Sequence, residues 1–238
     1  MNAFFTIFRT ETKLAIRDGN MLFFGVLFPV GVMLLIGFVS SAEATRLSFA
    51  GVGAIGICAA GLIGLPLTFA GYRHAGILKR FRTTPASPAV LLLAVALLQT
   101  LFAFASAGAI FLIARFIFSV EISGPPLRFI LTFLFVQISI FGIGFLISAL
   151  VPNTKTANLV CTVLYFPMLF LSGATVPAEI MPGFLRFFTE VFPLTQGIML
   201  LKGAVTGTDL AGDLVRVIVL AVIAVVSYVM AFATFRWE

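Results

Sequence analysis

Lys79, Arg80 and Arg82 place three cations within four residues. With Arg73 they make residues 73–88, RHAGILKRFRTTPASP, the most basic loop of the chain. Such a cluster has two readings: positive-inside anchoring of a loop, or docking a soluble partner. A short helix over residues 75–82 fits before Pro85 ends it. Glu179 and Glu190 are the acids best placed for partial burial. Glu179 reads as a cap at the positive end of a short helix; Glu190 is open. Other chemistry is missing. No GxxxxGKS/T phosphate loop occurs, so the chain does not hold ATP in the P-loop manner. There is no HExxH, no GxSxG and no cysteine–histidine cluster. His74, the one histidine, reads as a solvated loop residue. Cys58 and Cys161 lie inside apolar runs and read as small buried hydrophobes. The chain is therefore expected to be no enzyme and to carry no metal or cofactor of its own.

The elements that position these groups are set by composition. The 238 residues are 61% hydrophobic and only 10% charged, against roughly 25% charged in a soluble domain. This is the composition of an integral membrane protein. The net charge of +6 would suggest nucleic acid in a soluble protein. Here the cations flank apolar runs, which the positive-inside rule explains without a nucleic-acid partner.

Residues 1–20 read as an amphipathic helix lying on the membrane surface. Phe4, Ile7, Phe8, Leu14 and Ala15 fall on one side, and Arg9, Lys13 and Arg17 form a basic stripe at i, i+4, i+8. This segment lacks the uninterrupted apolar core and small-residue cleavage site of a signal peptide. Residues 21–238 then form one permease-sized membrane domain with six expected spans at 21–40, 48–72, 89–118, 127–151, 156–176 and 214–235, each near the length that crosses a ~30 Å core. Pro29 is expected to kink the first span and Pro66 to bend the second. The second is rich in glycine, which lets helices approach closely in lipid. Gln99 and Gln137 are expected to hydrogen-bond neighbouring helices. Ionisable groups deep in the spans are almost absent, which argues against a proton- or sodium-coupled pump.

Between the fifth and sixth spans, residues 177–203 are apolar yet cut by Pro177, Pro182 and Pro193. A broken apolar segment too short to cross fits either a re-entrant helical hairpin or a loop lying flat on the bilayer. Orientation follows from counting. With the N-terminus inside, nine Lys and Arg fall on inner segments and six on outer ones. Both termini are therefore expected in the cytoplasm.

Ser172-Gly173, Pro177, Met181-Pro182, Phe184-Leu185 and Pro193-Leu194-Thr195 resemble the C-terminal signature of the ATP-binding cassette (ABC) type-2 permeases. These are the membrane subunits of bacterial exporters. The stretch Gly76-Ile77-Leu78-Lys79-Arg80-Phe81-Arg82-Thr83-Thr84-Pro85 is similar to the cytoplasmic loop of the same family. The chain departs from the pattern at Gln196, where an aromatic is common, and at Lys202, where Arg is common. It departs again at His74, where the family usually has glutamate.

The resemblance implies an all-α membrane protein with a surface helix, six spans and a re-entrant hairpin before the last. It implies a coupling helix in which Arg73, Gly76, Lys79, Arg80 and Arg82 meet a separate cytosolic ATPase. Two ATPase copies would bind ATP and Mg, and a second permease copy, identical or related, would complete the transporter in the bacterial inner membrane. The hairpin residues Pro177, Glu179, Pro182, Glu190 and Pro193 would shape the outer exit. The family places the first and fifth spans near the dimer interface, so Phe24, Phe28, Phe166 and Phe170 are candidates to line a greasy pathway. Phenylalanine richness favours a drug, antibiotic or lipid-like substrate. Export of polysaccharide or lipid-linked glycan is the alternative within the family. An ATPase-independent channel or carrier, or a scaffold that only recruits a partner, are the alternatives outside it.

Overall fold

The computed structural model of the chain describes residues 3–17, 19–81, 88–120, 124–175, 189, 191–208 and 210–235. Among them every regular element is helical. Helix α1 (Ala3–Arg17) lies against the bundle and α2 (residues 19–39) follows it. The central helix α3 is Ala42–His74, and the short α4 is Ile77–Phe81. Then come α5 (Pro88–Phe116), α6 (Pro126–Leu150), α7 (Thr154–Leu171), α8 (Pro193–Thr206) and α9 (Leu214–Thr234). Five of these, α3, α5, α6, α7 and α9, are long and apolar enough to cross a membrane. The apolar part of α2, Phe23–Val39, falls short of that length.

The two expected proline bends take a specific form. Each proline sits just after a π-helical stretch: Phe23–Leu27 before Pro29, and Ala59–Gly64 before Pro66. Proline has no N–H to give the carbonyl four residues back, and its ring crowds that carbonyl. The chain answers with i→i−5 bonds instead: Phe28 N–H to the Phe23 carbonyl, and Leu65 N–H to the Ala60 carbonyl. One extra residue per turn is accommodated and the rod continues.

Helix α3 is the core of the fold. Its residues from Phe49 to Leu62 are all buried, and α5, α6, α8 and α2 pack around it. Glycines make this possible. A Cβ at Gly56 would lie 2.9 Å from Ser106 Oγ, and one at Gly61 2.9 Å from the Ile140 side chain. At the tightest point a Cβ on Gly144 of α6 would overlap the carbonyl oxygen of Gly61. The two backbones touch there because neither residue has a side chain. Helix α3 also begins earlier than expected. Ala42 starts it, with Ser41 Oγ accepting from Ala44 N–H at 3.4 Å, so Glu43 and Arg46 lie on a helix rather than in a loop.

Helices α6 and α9 pack through small residues. Ala224, Ser227 and Ala231 face α6 at helical spacing, and Tyr228 donates to the Ile138 carbonyl at 3.2 Å. The opposite face of α9 exposes Val215, Ile218, Val222, Val226, Val229 and Phe232. That face suits lipid or another apolar surface, and water would leave it unstable. Helix α7 starts at an Asn153 cap, whose Oδ1 accepts from Thr156 N–H at 2.9 Å. It ends before Gly173, at φ +80°.

Of the expected hairpin, Pro193 is described. It occupies the first turn of α8, where a missing N–H is harmless. Helix α8 is buried along most of its length and closes at Gly207 in the left-handed conformation. At 14 residues it is about 21 Å long, too short to cross. Pro177, Glu179, Pro182 and Glu190 lie outside the described residues.

Candidate functional site

The basic end of α3 is built residue by residue from its C-terminus. The helix closes at His74 and Ala75, and Gly76 turns the chain at φ +66°. Only glycine takes that conformation freely. Helix α4 starts at once. Leu78 is buried at 1% exposure and pins it, leaving Lys79 and Arg80 exposed. Arg82 lies outside the described residues. Alanine at Gly76 should strain the junction by about 1–2 kcal/mol. Asparagine, which tolerates the left-handed region, should strain it less. Melting of the purified chain is expected to rank Gly76 above Gly76→Asn above Gly76→Ala.

Arg73 does something the sequence did not announce. Its Nη1 and Nη2 each donate to the Ser148 carbonyl at 3.2 Å, and Nη1 also donates to the Val151 carbonyl. The guanidinium sits 5.9 Å from the Phe235 ring centroid. The last carbonyls of a helix have no internal donors, so Arg73 caps α6 from α3 and touches the end of α9. It ties three helices together beside α4, while the outward-facing cations are Lys79 and Arg80.

The four phenylalanines named from the sequence come together in a row. Phe28 is 6.3 Å from Phe24, Phe24 is 6.4 Å from Tyr165, Tyr165 is 5.5 Å from Phe166, and Phe166 is 6.3 Å from Phe170. Tyr165 is the link that sequence reasoning missed. Its ring is fully buried, and its hydroxyl has no hydrogen-bond partner among the described residues. A tyrosine one residue before Phe166 in an otherwise apolar run was the available signal. The row is not sealed within one chain, since Phe166 and Phe170 are 37% and 49% exposed.

Buried polar groups behave differently from expectation in one case. Gln137 is buried, and neither amide atom is hydrogen-bonded among the described residues; the expected interhelical bond is not formed. Gln99 is buried against α3, close enough that a Cβ on Gly64 would overlap its amide.

Helix α1 also departs in detail. Leu14 is exposed, and the face turned to the bundle carries Ile7, Glu11 and Ala15. Burial raises the Glu11 carboxyl above its ordinary value of 4.5, and the neighbouring Tyr72 hydroxyl partly offsets that. An acid at i+4 from Ile7 and i−4 from Ala15 was the sequence signal for this placement. Among the described residues no three His, Cys, Asp or Glu converge as metal ligands.

Comparison with known proteins agrees with this architecture. Residues 2–205 match the ABC-2 type transporter family. Two curated relatives are similar over 95 residues, 40% of this chain: Nodulation protein J of Rhizobium meliloti (strain 1021) and Nodulation protein J of Rhizobium leguminosarum bv. viciae, each 28% identical. The matched stretch spans only 36% and 37% of those relatives' own lengths. With five helices able to cross a membrane among the described residues and a family match over most of its length, this chain is a multi-pass membrane protein that belongs to the ABC-2 type transporter family.

Proposed function

We propose that the chain is the permease subunit of an ABC exporter, driven by a separate cytosolic ATPase, with both termini cytoplasmic. The observation that carries this is the basic end of α3. A five-residue helix, α4, is pinned by Leu78, joined through Gly76 to the most buried helix of the fold, and presents Lys79 and Arg80 outward. Force applied to α4 enters the central helix directly. ATP binding that closes two ATPases would bias the permease between two packings, which is how a ligand bound elsewhere moves a membrane domain.

The substrate is hydrophobic or amphipathic, such as a drug, an antibiotic or a lipid-like molecule. Support comes from the row Phe28–Phe24–Tyr165–Phe166–Phe170, which is almost wholly apolar and half open. A second permease copy against this face would convert the row into the wall of a pathway. Residues 177–203 would shape its outer exit. The test is gentle solubilisation of the tagged chain from its native membrane and identification of what copurifies. A stoichiometric soluble partner with a Walker-type phosphate loop is the expected result. An intact homo-oligomer without an ATPase overturns the proposal.

A further inference from the structure

Two neighbouring cavities lie behind α1. One, of about 120 Å³, is lined by Glu11, Tyr72, Val95 and Leu98; the other, of about 140 Å³, by Phe24, Gly25, Gly56 and Phe102. Thr68 and Gln99 line both. These shared walls set the two cavities side by side, as a track from the surface helix toward the middle of the bundle. Its deep part passes both π-helical stretches, Phe23–Leu27 and Ala59–Gly64, a kind of distortion that recurs at functional sites.

The track is polar at one end and greasy at the other. Glu11 is the one acid in residues 3–17, a segment that also carries Arg9, Lys13 and Arg17. Those three cations are exposed, whereas Glu11 is half-buried at the cavity. Among the described residues no cation pairs with it. Tyr72 is 8% exposed, and its hydroxyl is turned toward the Glu11 carboxyl. A half-buried carboxyl held by a neutral hydroxyl, with no cation paired to it among the described residues, is costly to ionise unless a cation joins it. The complement of this site is a cation carrying an apolar tail. The ammonium would neutralise Glu11, the aromatic face of Tyr72 would add a cation–π contact, and the tail would run past Thr68 and Gln99 toward Phe24 and Phe102.

We infer that the Glu11–Tyr72 cavity is a binding site for cationic amphiphiles, taken laterally from the membrane surface beside α1. This rests on the exporter reading and narrows its substrate class. The head of such a molecule would be held where α1 meets α3 and α5, and its tail would already lie in the bundle.

The test measures equilibrium binding of radiolabelled dodecyltrimethylammonium, below its micellar concentration. The full chain is used in phosphatidylcholine nanodiscs, with any copurifying ATPase retained. Saturable binding is expected, with no competition from dodecyl sulfate. Glu11→Gln is expected to weaken it about tenfold and Tyr72→Phe about threefold. Glu43→Gln, which alters an exposed acid at the far end of α3, should leave it unchanged. Equal binding of the cation and the anion by the unaltered chain overturns the inference without need of any variant, as does unsaturable partitioning. Unchanged affinity in well-folded Glu11→Gln also overturns it. The two proposals fail separately. A copurifying ATPase without saturable amine binding sinks the site and leaves the exporter standing. Amine binding without an ATPase supports the site and sinks the exporter.

Discussion

Charge reversal at two residues, Lys79→Glu with Arg80→Glu, is expected to release the ATPase and abolish transport together. Both side chains are exposed on α4, so folding should change little; surface substitutions usually stay within about 0.5 kcal/mol. At a docking surface the effect is of another size. Turning an attractive charge into a repulsive one costs several kcal/mol, so affinity should fall roughly 100-fold or more. The measurement is ATPase recovery on the tagged permease, read beside the melting temperature of the permease alone. Loss of the partner with unchanged melting supports the proposal. Full recovery of the partner removes α4 from the coupling path. Arg73 is the informative contrast. Because it caps α6, Arg73→Ala should lower the melting temperature before it touches any partner.

The second large effect belongs to Gly144. A Cβ there would overlap the Gly61 carbonyl, which is backbone and has no rotamer to move. Even alanine forces α6 away from α3. Overpacking of this kind ordinarily costs about 1–3 kcal/mol, and a backbone partner places Gly144→Ala at the upper end. A loss of roughly 3 kcal/mol corresponds to about 10 °C in melting for a chain of this size. Gly144→Leu should leave little folded protein in the membrane. Gly53 serves as the control, because a Cβ there meets nothing within 4 Å. Gly53→Ala should be tolerated. If Gly144→Ala melts with the unaltered chain, the close α3–α6 crossing is wrong.

What the sequence made legible was whatever depends on a run of residues. Long apolar stretches placed α5, α6 and α9 closely, because burial in lipid acts on every residue of a span, whereas α7 ends at Leu171, short of the expected span to Val176. Prolines marked where helices would be perturbed. Local signals also announced α4, although Gly76 at φ +66° starts it at Ile77 rather than at Ala75.

What was hidden depends on partners distant in sequence. Arg73 looks like any other cation of a basic loop until Ser148 and Val151 arrive beside it, some 75 residues later. Gly61 looks like one more small residue until Gly144 lands on it. Tyr165 gained its meaning only when α2 brought Phe24 against it. The start of α3 was misplaced because Glu43 and Arg46 look like loop residues; Ser41 caps the helix ahead of them, and a charged first turn outside the apolar zone is no obstacle to a helix. For Gln137, residue type foretold an interhelical hydrogen bond, and none is made among the described residues.

The paired π-helical stretches carry one further consequence, for how a span can move. An α-helix advances about 100° and 1.5 Å per residue. A π turn absorbs one residue without that advance, so each of these rods stores a fraction of a revolution as phase. If the surplus at Ala59–Gly64 relaxed into α geometry, the segment Leu65–His74 would screw about its own axis by about 100° relative to Phe49 and the rest of the outer half. Arg73 and Gly76 would travel with it, carrying α4 around the bundle. The same gearing exists in α2 at Phe23–Leu27. Any change in either π stretch would therefore act as torsion about a helix axis, at two places that line the same cavity.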